Sequence, residues 1–189
     1  MSADFRPAAR AAAAVVALLP LVLAVVWLRT PEAQQQPAEF VAPAISDTGS
    51  LEGPRQPIFF RHDIHAGQYQ MDCRYCHYAV EVSPYPGLPS METCMGCHRI
   101  TGAALPEVQK LREAAGTGQA IEWVKVHNLP QFVRFPHMRH VRAEIACQTC
   151  HGPVERMPQV YQYASLKMGW CLDCHKQRQV TTDCTACHY

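Results

Sequence analysis

Phe135–His151 reads FPHMRHVRAEIACQTCH, and these seventeen residues hold what the rest of the chain repeats. The stretch ends in Cys147-x-x-Cys150-His151, the attachment pattern of a c-type haem. Positions i, i+3 and i+4 of a helical turn share a face. Cys147 and Cys150 can therefore bond the vinyl groups of one porphyrin while His151 binds its iron. The stretch opens with His137 and His140, again three apart, which offers imidazoles to the open faces of two different irons.

The motif recurs at Cys73/Cys76/His77, Cys94/Cys97/His98, Cys171/Cys174/His175 and Cys184/Cys187/His188, so five motifs use all ten cysteines. Five of the ten histidines are then proximal ligands, and five remain: His62, His65, His127, His137 and His140. One distal histidine per haem fits without remainder. A six-coordinate bis-histidine iron transfers electrons and has no vacant position for substrate, so the ligand count favours an electron wire over a catalyst.

Phe60-x-His62-x-x-His65 followed by Cys73-x-x-Cys76-His77 matches Phe135-x-His137-x-x-His140 followed by Cys147-x-x-Cys150-His151. Each is followed by one further motif. The chain thus reads as a duplicated two-haem unit, residues 58–100 and 133–176, with the fifth haem motif at 184–188. The expected haem domain is 58–189, mostly irregular with short α-helices around the motifs and almost no sheet. Between the units, Leu105–Ala115 predicts a helix with Pro106 in its first turn, Val108, Leu111 and Ala115 on one face, and Gly116 and Gly118 ending it. The extended run from Ile121 to Pro130 then delivers His127, the only histidine outside the repeats. It is the natural distal ligand for the haem without a repeat partner.

Ala11–Leu28 holds eighteen residues without a charge, about 27 Å as a helix against a hydrocarbon core of about 30 Å. A transmembrane anchor is expected at 11–29, following a short tail at 1–10. Arg6 and Arg10 before it place the amino terminus in the cytoplasm and the haem domain on the periplasmic side. No A-x-A-like cleavage site follows, which favours a retained anchor over a cleaved signal peptide. Residues 30–57 carry five prolines and a Gln34–Gln36 run, and read as a Pro-rich linker or strap.

The formal charge is +1, but each ferric bis-histidine haem with ionised propionates adds a negative charge. The loaded protein would sit near about −4, and about −9 when reduced, which leaves no basic footprint for nucleic acid. Met91, Met95, Met138, Met157 and Met168 lie near motifs and could ligate iron; the histidine count makes packing the better reading for them. Trp123 and Trp170 read as haem-packing aromatics. The Cys76–Cys94 and Cys150–Cys171 intervals, seventeen and twenty residues, also satisfy the spacing of a four-cysteine zinc site. The histidine after every pair, the odd number of pairs and the exported location oppose zinc.

With FFRHDIHAGQYQMDCRYCH, WVKVHNLP, FPHMRHVRAEIACQTCHGPVERM, MGWCLDCHK and CTACHY, the chain resembles the membrane-anchored pentahaem cytochrome c subunit of alternative complex III, a bacterial quinol oxidoreductase. The resemblance runs from about Pro57 to Tyr189. It implies a c3/c7-like multihaem fold, five covalent haem c groups and a place in the bacterial inner membrane. The implied partners are a large iron–sulfur subunit related to molybdopterin oxidoreductases, polytopic quinol-binding subunits and a monohaem cytochrome c. Electrons from quinol would leave toward a periplasmic carrier or a terminal oxidase. Small cytochromes of the c3 and c7 type use the first histidine of HxxH for the haem just downstream and the second for another. Carried over, this pairs His62 with His77, His65 with His98, His137 with His151, His140 with His175 and His127 with His188. A NapC/NrfH-type quinol dehydrogenase, or a multihaem reductase with an open haem, are the alternatives; five spare histidines argue against both.

Overall fold

A computed structural model describes residues 40–189. The expected tail and membrane anchor lie outside the described residues, as does the first part of the Pro-rich segment. Among the described residues no helix is long and apolar enough to cross a membrane.

In chain order the body comprises a π-helical turn at Asp63–Gln68, α1 at Cys73–Cys76, a 3-10 turn at Tyr78–Glu81, α2 at Met91–His98 and α3 at Pro106–Thr117. There follow α4 at His137–Arg142, α5 at Gln148–His151, a 3-10 turn at Val154–Arg156, α6 at Met168–Gln177 and α7 at Cys184–Cys187. Among the described residues there is no strand, and β-pairing is limited to an isolated antiparallel bridge between Val133 and His188. A single helical turn is costly to nucleate, and two of these short helices are capped. Asp72 accepts from the amide of Arg74 (2.8 Å) ahead of α1, and Ser90 from that of Thr93 (3.4 Å) ahead of α2.

Helix α3 starts with Pro106, whose missing N–H costs nothing there, and buries Val108 and Leu111. Gly116 lies inside its last turn. The residue that ends it is Gly118, at φ 69°, the left-handed conformation that glycine adopts without a Cβ penalty.

The two units differ by one residue: His65 precedes Cys73 by eight positions, and His140 precedes Cys147 by seven. The π-helical turn absorbs the insertion, with the amide of Tyr69 bonding back five residues to Ile64 (2.9 Å). Both units consequently keep one framework bond, from the residue two before the first cysteine to the carbonyl of the second HxxH histidine. It is Met71 to His65 (3.0 Å) in one unit and Ile145 to His140 (3.2 Å) in the other.

The units dock by exchange. The π-helical turn of the first packs against the 3-10 turn that follows the motif of the second, and α4 of the second against the 3-10 turn that follows the motif of the first. Equivalent bonds fix both contacts. The amide of Asp63 reaches the carbonyl of Met157 (3.3 Å), six residues past His151, and the amide of Met138 reaches that of Ser83 (3.3 Å), six past His77. A Cβ on Gly67 would collide with the carbonyl of Glu155 and the ring of Phe40, so only glycine allows the first approach.

Residues 40–57 are strapped to this body, and the compact unit begins at Phe40. The expected linker boundary at 57 therefore moves toward the amino terminus. The amide of Ala42 bonds Gln68 (3.2 Å), Arg61 bonds the carbonyl of Pro43 (2.7 Å), and the buried amide of Gln159 donates to the carbonyls of Glu52 (3.0 Å) and Gly53 (2.8 Å). These side chains are distant in sequence, so the strap leaves little trace in local composition.

The buried apolar residues among those described are Ile58, Val108, Leu111, Met157 and Ala164. That is a small core for a body of this length, and Met157 belongs to it. At its centre Asp63 is fully buried and takes both Nε (2.9 Å) and Nη2 of Arg61. Removing one partner of a buried pair strands the other charge. Asp63→Ala should cost the haem-loaded protein about 3 kcal/mol in guanidinium unfolding, with Asp63→Asn milder; a change too small to measure would show that the exchange contact does not depend on this pair.

Candidate haem centres

Each Cys-x-x-Cys-His motif lies on or ends a helical turn. The second and fourth lie wholly inside longer helices, with Cys94, Cys97 and His98 in α2 and Cys171, Cys174 and His175 in α6. There the carbonyl of the second cysteine accepts from amides just past the helix. The carbonyl of Cys97 accepts from the amides of Ile100 (3.1 Å) and Thr101 (2.9 Å), and that of Cys174 from the amide of Arg178 (3.0 Å). In the other three motifs the histidine amide closes the turn onto the first cysteine: His77 to Cys73 (2.9 Å), His151 to Cys147 (3.0 Å) and His188 to Cys184 (2.9 Å).

No disulfide joins any of the ten thiols. Cys73, Cys97, Cys147 and Cys184 are exposed, whereas Cys76, Cys94, Cys150, Cys171, Cys174 and Cys187 are half-buried. The five pairs are thus not equally exposed. In the second motif it is the second cysteine, Cys97, that faces solvent; in the first, third and fifth it is the first; in the fourth both Cys171 and Cys174 are half-buried. The helical context accounts for the difference, because α2 and α6 begin well before their motifs and turn a different face outward from the single turns of α1, α5 and α7.

Burial pushes the thiols of Cys73, Cys76, Cys94, Cys150 and Cys171 up. Among the described residues no three His, Cys, Asp or Glu side chains converge as a metal cluster.

The histidines show what they are arranged to hold. Nδ1 of His65, His77, His98, His137, His140, His175 and His188 lies 2.7–3.4 Å from a backbone carbonyl. Nδ1–H donation fixes the tautomer with Nε2 as the free lone pair, the arrangement by which a protein orients a metal-binding imidazole. An iron held by two imidazoles, each through one nitrogen at about 2 Å, would need the two rings set apart. The observed separations are 6.0 Å for His65–His98, 6.3 Å for His137–His151 and 6.2 Å for His140–His175. Each pair has room for one iron between its rings. These residues fit haem c, which when bound supplies one-electron Fe(III)/Fe(II) chemistry.

Burial holds His62 and His151 down to about 4, with neighbouring histidines adding to the effect: His77 and His65 beside His62, and His127, His137 and His77 beside His151. Burial likewise lowers His65, His127 and His137. The neutral imidazole, the form that binds iron, is thereby favoured. His62 thus stands near His77, with its Nδ1 buried and without a hydrogen-bond partner.

His127 departs from the pairing that the resemblance implied. Its ring stands 4.4 Å from that of His151, at 76°, too near for the two to bind one iron from opposite faces, and its Nε2 is buried without a partner. His188 faces Phe132 instead (5.8 Å). The cause is a distant clamp: Gln56 holds Val124 by two hydrogen bonds of 2.9 Å each, which directs the extended run toward the third motif.

Sequence reasoning missed two residues. Phe60 stacks on His65 (4.4 Å, 24°) and meets His62 edge-on (4.7 Å, 85°), and Phe135 does the same to His140 (4.3 Å, 27°) and His137 (4.8 Å, 90°). One phenyl ring thus packs on both HxxH imidazoles of a unit, one by its face and one by an edge contact. The signal was present as the phenylalanine two positions before each HxxH.

Residues 133–189 match the family described as cytochrome c7 and related cytochrome c. That span carries α4 with its two histidines and three of the five motifs. That span is similar to cytochrome c7. The chain is also similar to the menaquinone reductase, multihaem cytochrome c subunit of Nitratidesulfovibrio vulgaris, 32% identical over 102 residues. The shared stretch covers 53% of this chain and 48% of that protein, so the chain spans about half the length of the curated relative it matches.

In the chain loaded with haem, Phe135→Leu should leave haem content unchanged and shift the low-spin g-values of two haems, those that His137 and His140 would hold, in electron paramagnetic resonance. An unchanged spectrum would mean that the ring fills space without orienting the ligands.

Proposed function

We propose that the chain is an electron-transfer subunit with five covalent haem c groups, carrying electrons between a quinone-linked membrane complex and a periplasmic redox partner. The observation that carries this is the spacing of the three histidine pairs. Closed coordination on both faces at these three pairs suits one-electron transfer and leaves them no site for substrate, so the reading makes the subunit by itself a carrier and not an enzyme. The thioethers come in pairs from Cys73 and Cys76, Cys94 and Cys97, Cys147 and Cys150, Cys171 and Cys174, and Cys184 and Cys187. The proximal ligands are His77, His98, His151, His175 and His188, and the distal ligands come from His62, His65, His137, His140 and His127.

The family and the relative support multihaem electron transfer beside a quinone reaction. The finer reading is the pentahaem subunit of an alternative complex III-type quinol oxidoreductase, anchored in the bacterial inner membrane by residues 11–29 with its haem domain in the periplasm. Its partners in that reading are an iron–sulfur subunit, polytopic quinol-binding subunits, a monohaem cytochrome c, and a soluble carrier or terminal oxidase as acceptor. The activity in the relative's name, menaquinone reduction, runs in the opposite sense. Rapid mixing of the purified complex with quinol, and separately with a reduced carrier, decides the direction by which donor reduces the haems first.

The position of His127 favours a second reading for one centre: an iron on His188 with an open sixth position. Pyridine haemochrome quantification with electron paramagnetic resonance on the oxidised, detergent-extracted protein separates the two. Five haems per chain, all low-spin, are expected for the wire. One high-spin haem that binds carbon monoxide when reduced, and persists in all variants except those at His188, would establish the open centre.

A further inference from the structure

The order of the motifs in space differs from their order in the sequence. The first and second motifs share the Phe60–His65 segment, because His65 lies 6.0 Å from His98 while His62 stands by His77. The third and fourth share α4, through His137–His151 (6.3 Å) and His140–His175 (6.2 Å). The two units meet at their first motifs. His137 donates from both its amide (3.1 Å) and its Nδ1 (3.2 Å) to the carbonyl of Pro84, seven residues past His77, and α4 packs on the intervening 3-10 turn. Cys73 and Cys147, equivalent by the duplication, stand side by side across this contact.

The second motif has a different neighbour on its outer side. Helix α2 packs against α3, which carries no cysteine or histidine, and Arg112 ties the two by donating to the carbonyl of Arg99 (3.3 Å). The fifth motif attaches beyond the fourth. Nδ1 of His175 donates to the carbonyl of Thr181 (2.7 Å), two residues before Asp183 leads into α7. The amide of Arg134 then holds the carbonyl of Cys187 (2.7 Å) and Val133 bridges to His188, which docks the last motif on the run leading into α4.

We propose that the haems form a single file in the order second, first, third, fourth, fifth motif. Electrons then enter and leave through the Cys94–His98 and Cys184–His188 centres, and the motif that comes first in the chain lies in the interior of the path. This inference rests on the electron-transfer reading above. It differs from a path that follows the sequence, in which the Cys73–His77 haem would be an end.

Locating the five irons in the haem-loaded full chain, by anomalous diffraction at the iron edge or by cryo-electron microscopy, tests it. The Cys73–His77 iron should have the Cys94–His98 and Cys147–His151 irons as its two nearest neighbours, and the Cys94–His98 iron should have only one near neighbour. A Cys94–His98 iron lying between two others, or a Cys184–His188 iron in the interior, would overturn the order. Kinetics gives an independent readout. In Cys184→Ala/Cys187→Ala, which lacks an end haem, the remaining four should still exchange electrons after flash reduction. In Cys73→Ala/Cys76→Ala, exchange between the second motif and the rest should be lost; retained exchange would overturn the proposal. If the second variant does not fold, the iron positions in the wild-type protein decide alone. Irons in the proposed file that fail to exchange electrons would refute the wire reading and leave the order standing.

Discussion

An imidazole that must hold iron through one nitrogen can be oriented only through the other, and the backbone of this protein is laid out to supply the carbonyls that do it. Seven histidines place Nδ1 against a main-chain oxygen. Several of these oxygens lie in loops of no regular structure, such as Gly87, Thr101 and Thr181. What reads as irregular chain is therefore specified at these histidines. A carbonyl that bonds an N–H is satisfied, and the imidazole it holds is fixed in tautomer and in rotation about its Cβ–Cγ bond. The phenyl rings of Phe60 and Phe135 complete the constraint from the other side.

The exchange between the two units follows from the same economy. A unit of about forty residues cannot build a core of its own, and each unit here lends its HxxH segment to the turn that follows the other's first motif. The bonds Asp63 to Met157 and Met138 to Ser83 are the same bond drawn twice. Only one of the two contacts is reinforced by the buried Arg61–Asp63 pair. Proline occupies the position of Arg61 in the second unit, and there α4 is held instead through the two bonds from His137 to Pro84. The ligand itself thus takes on a structural role that a salt bridge plays in the first unit.

The motifs, the duplication and α3 were legible because their causes are local. Thioether spacing, one helical turn and a proline–glycine bracket are all written within a dozen residues. Which cysteine of a pair faces solvent was not legible, since Cys97 and Cys174 take their exposure from helices that begin before the motif. The π-helical turn was legible only as an eight-against-seven count between His65–Cys73 and His140–Cys147, since an extra residue does not announce whether a loop or a helix absorbs it. The strap at 40–57 and the position of His127 were not legible either. Both depend on glutamines, Gln56, Gln68 and Gln159, that bond backbone many residues away, and a glutamine carries no pattern that names its partner. The histidine count supported a distal role for His127, but a count does not assign an iron.

A duplicated pair of units, each with two Cys-x-x-Cys-His motifs and joined at their first motifs, has two equivalent ends and so no built-in direction. Two departures from the duplication remove that equivalence. Helix α3 covers the outer side of α2 in the first unit, where the second unit has no counterpart, and α7 extends the second unit by one motif, where the first has none. Both additions fall at the ends of the assembly and neither disturbs the central contact at Cys73, Cys147, Ser83 and Met138. A partner that recognises one end consequently meets a surface that the other end does not present. In the proposed electron-transfer role, asymmetry of that kind would let one subunit receive electrons from one protein and pass them to another without the two competing for the same face.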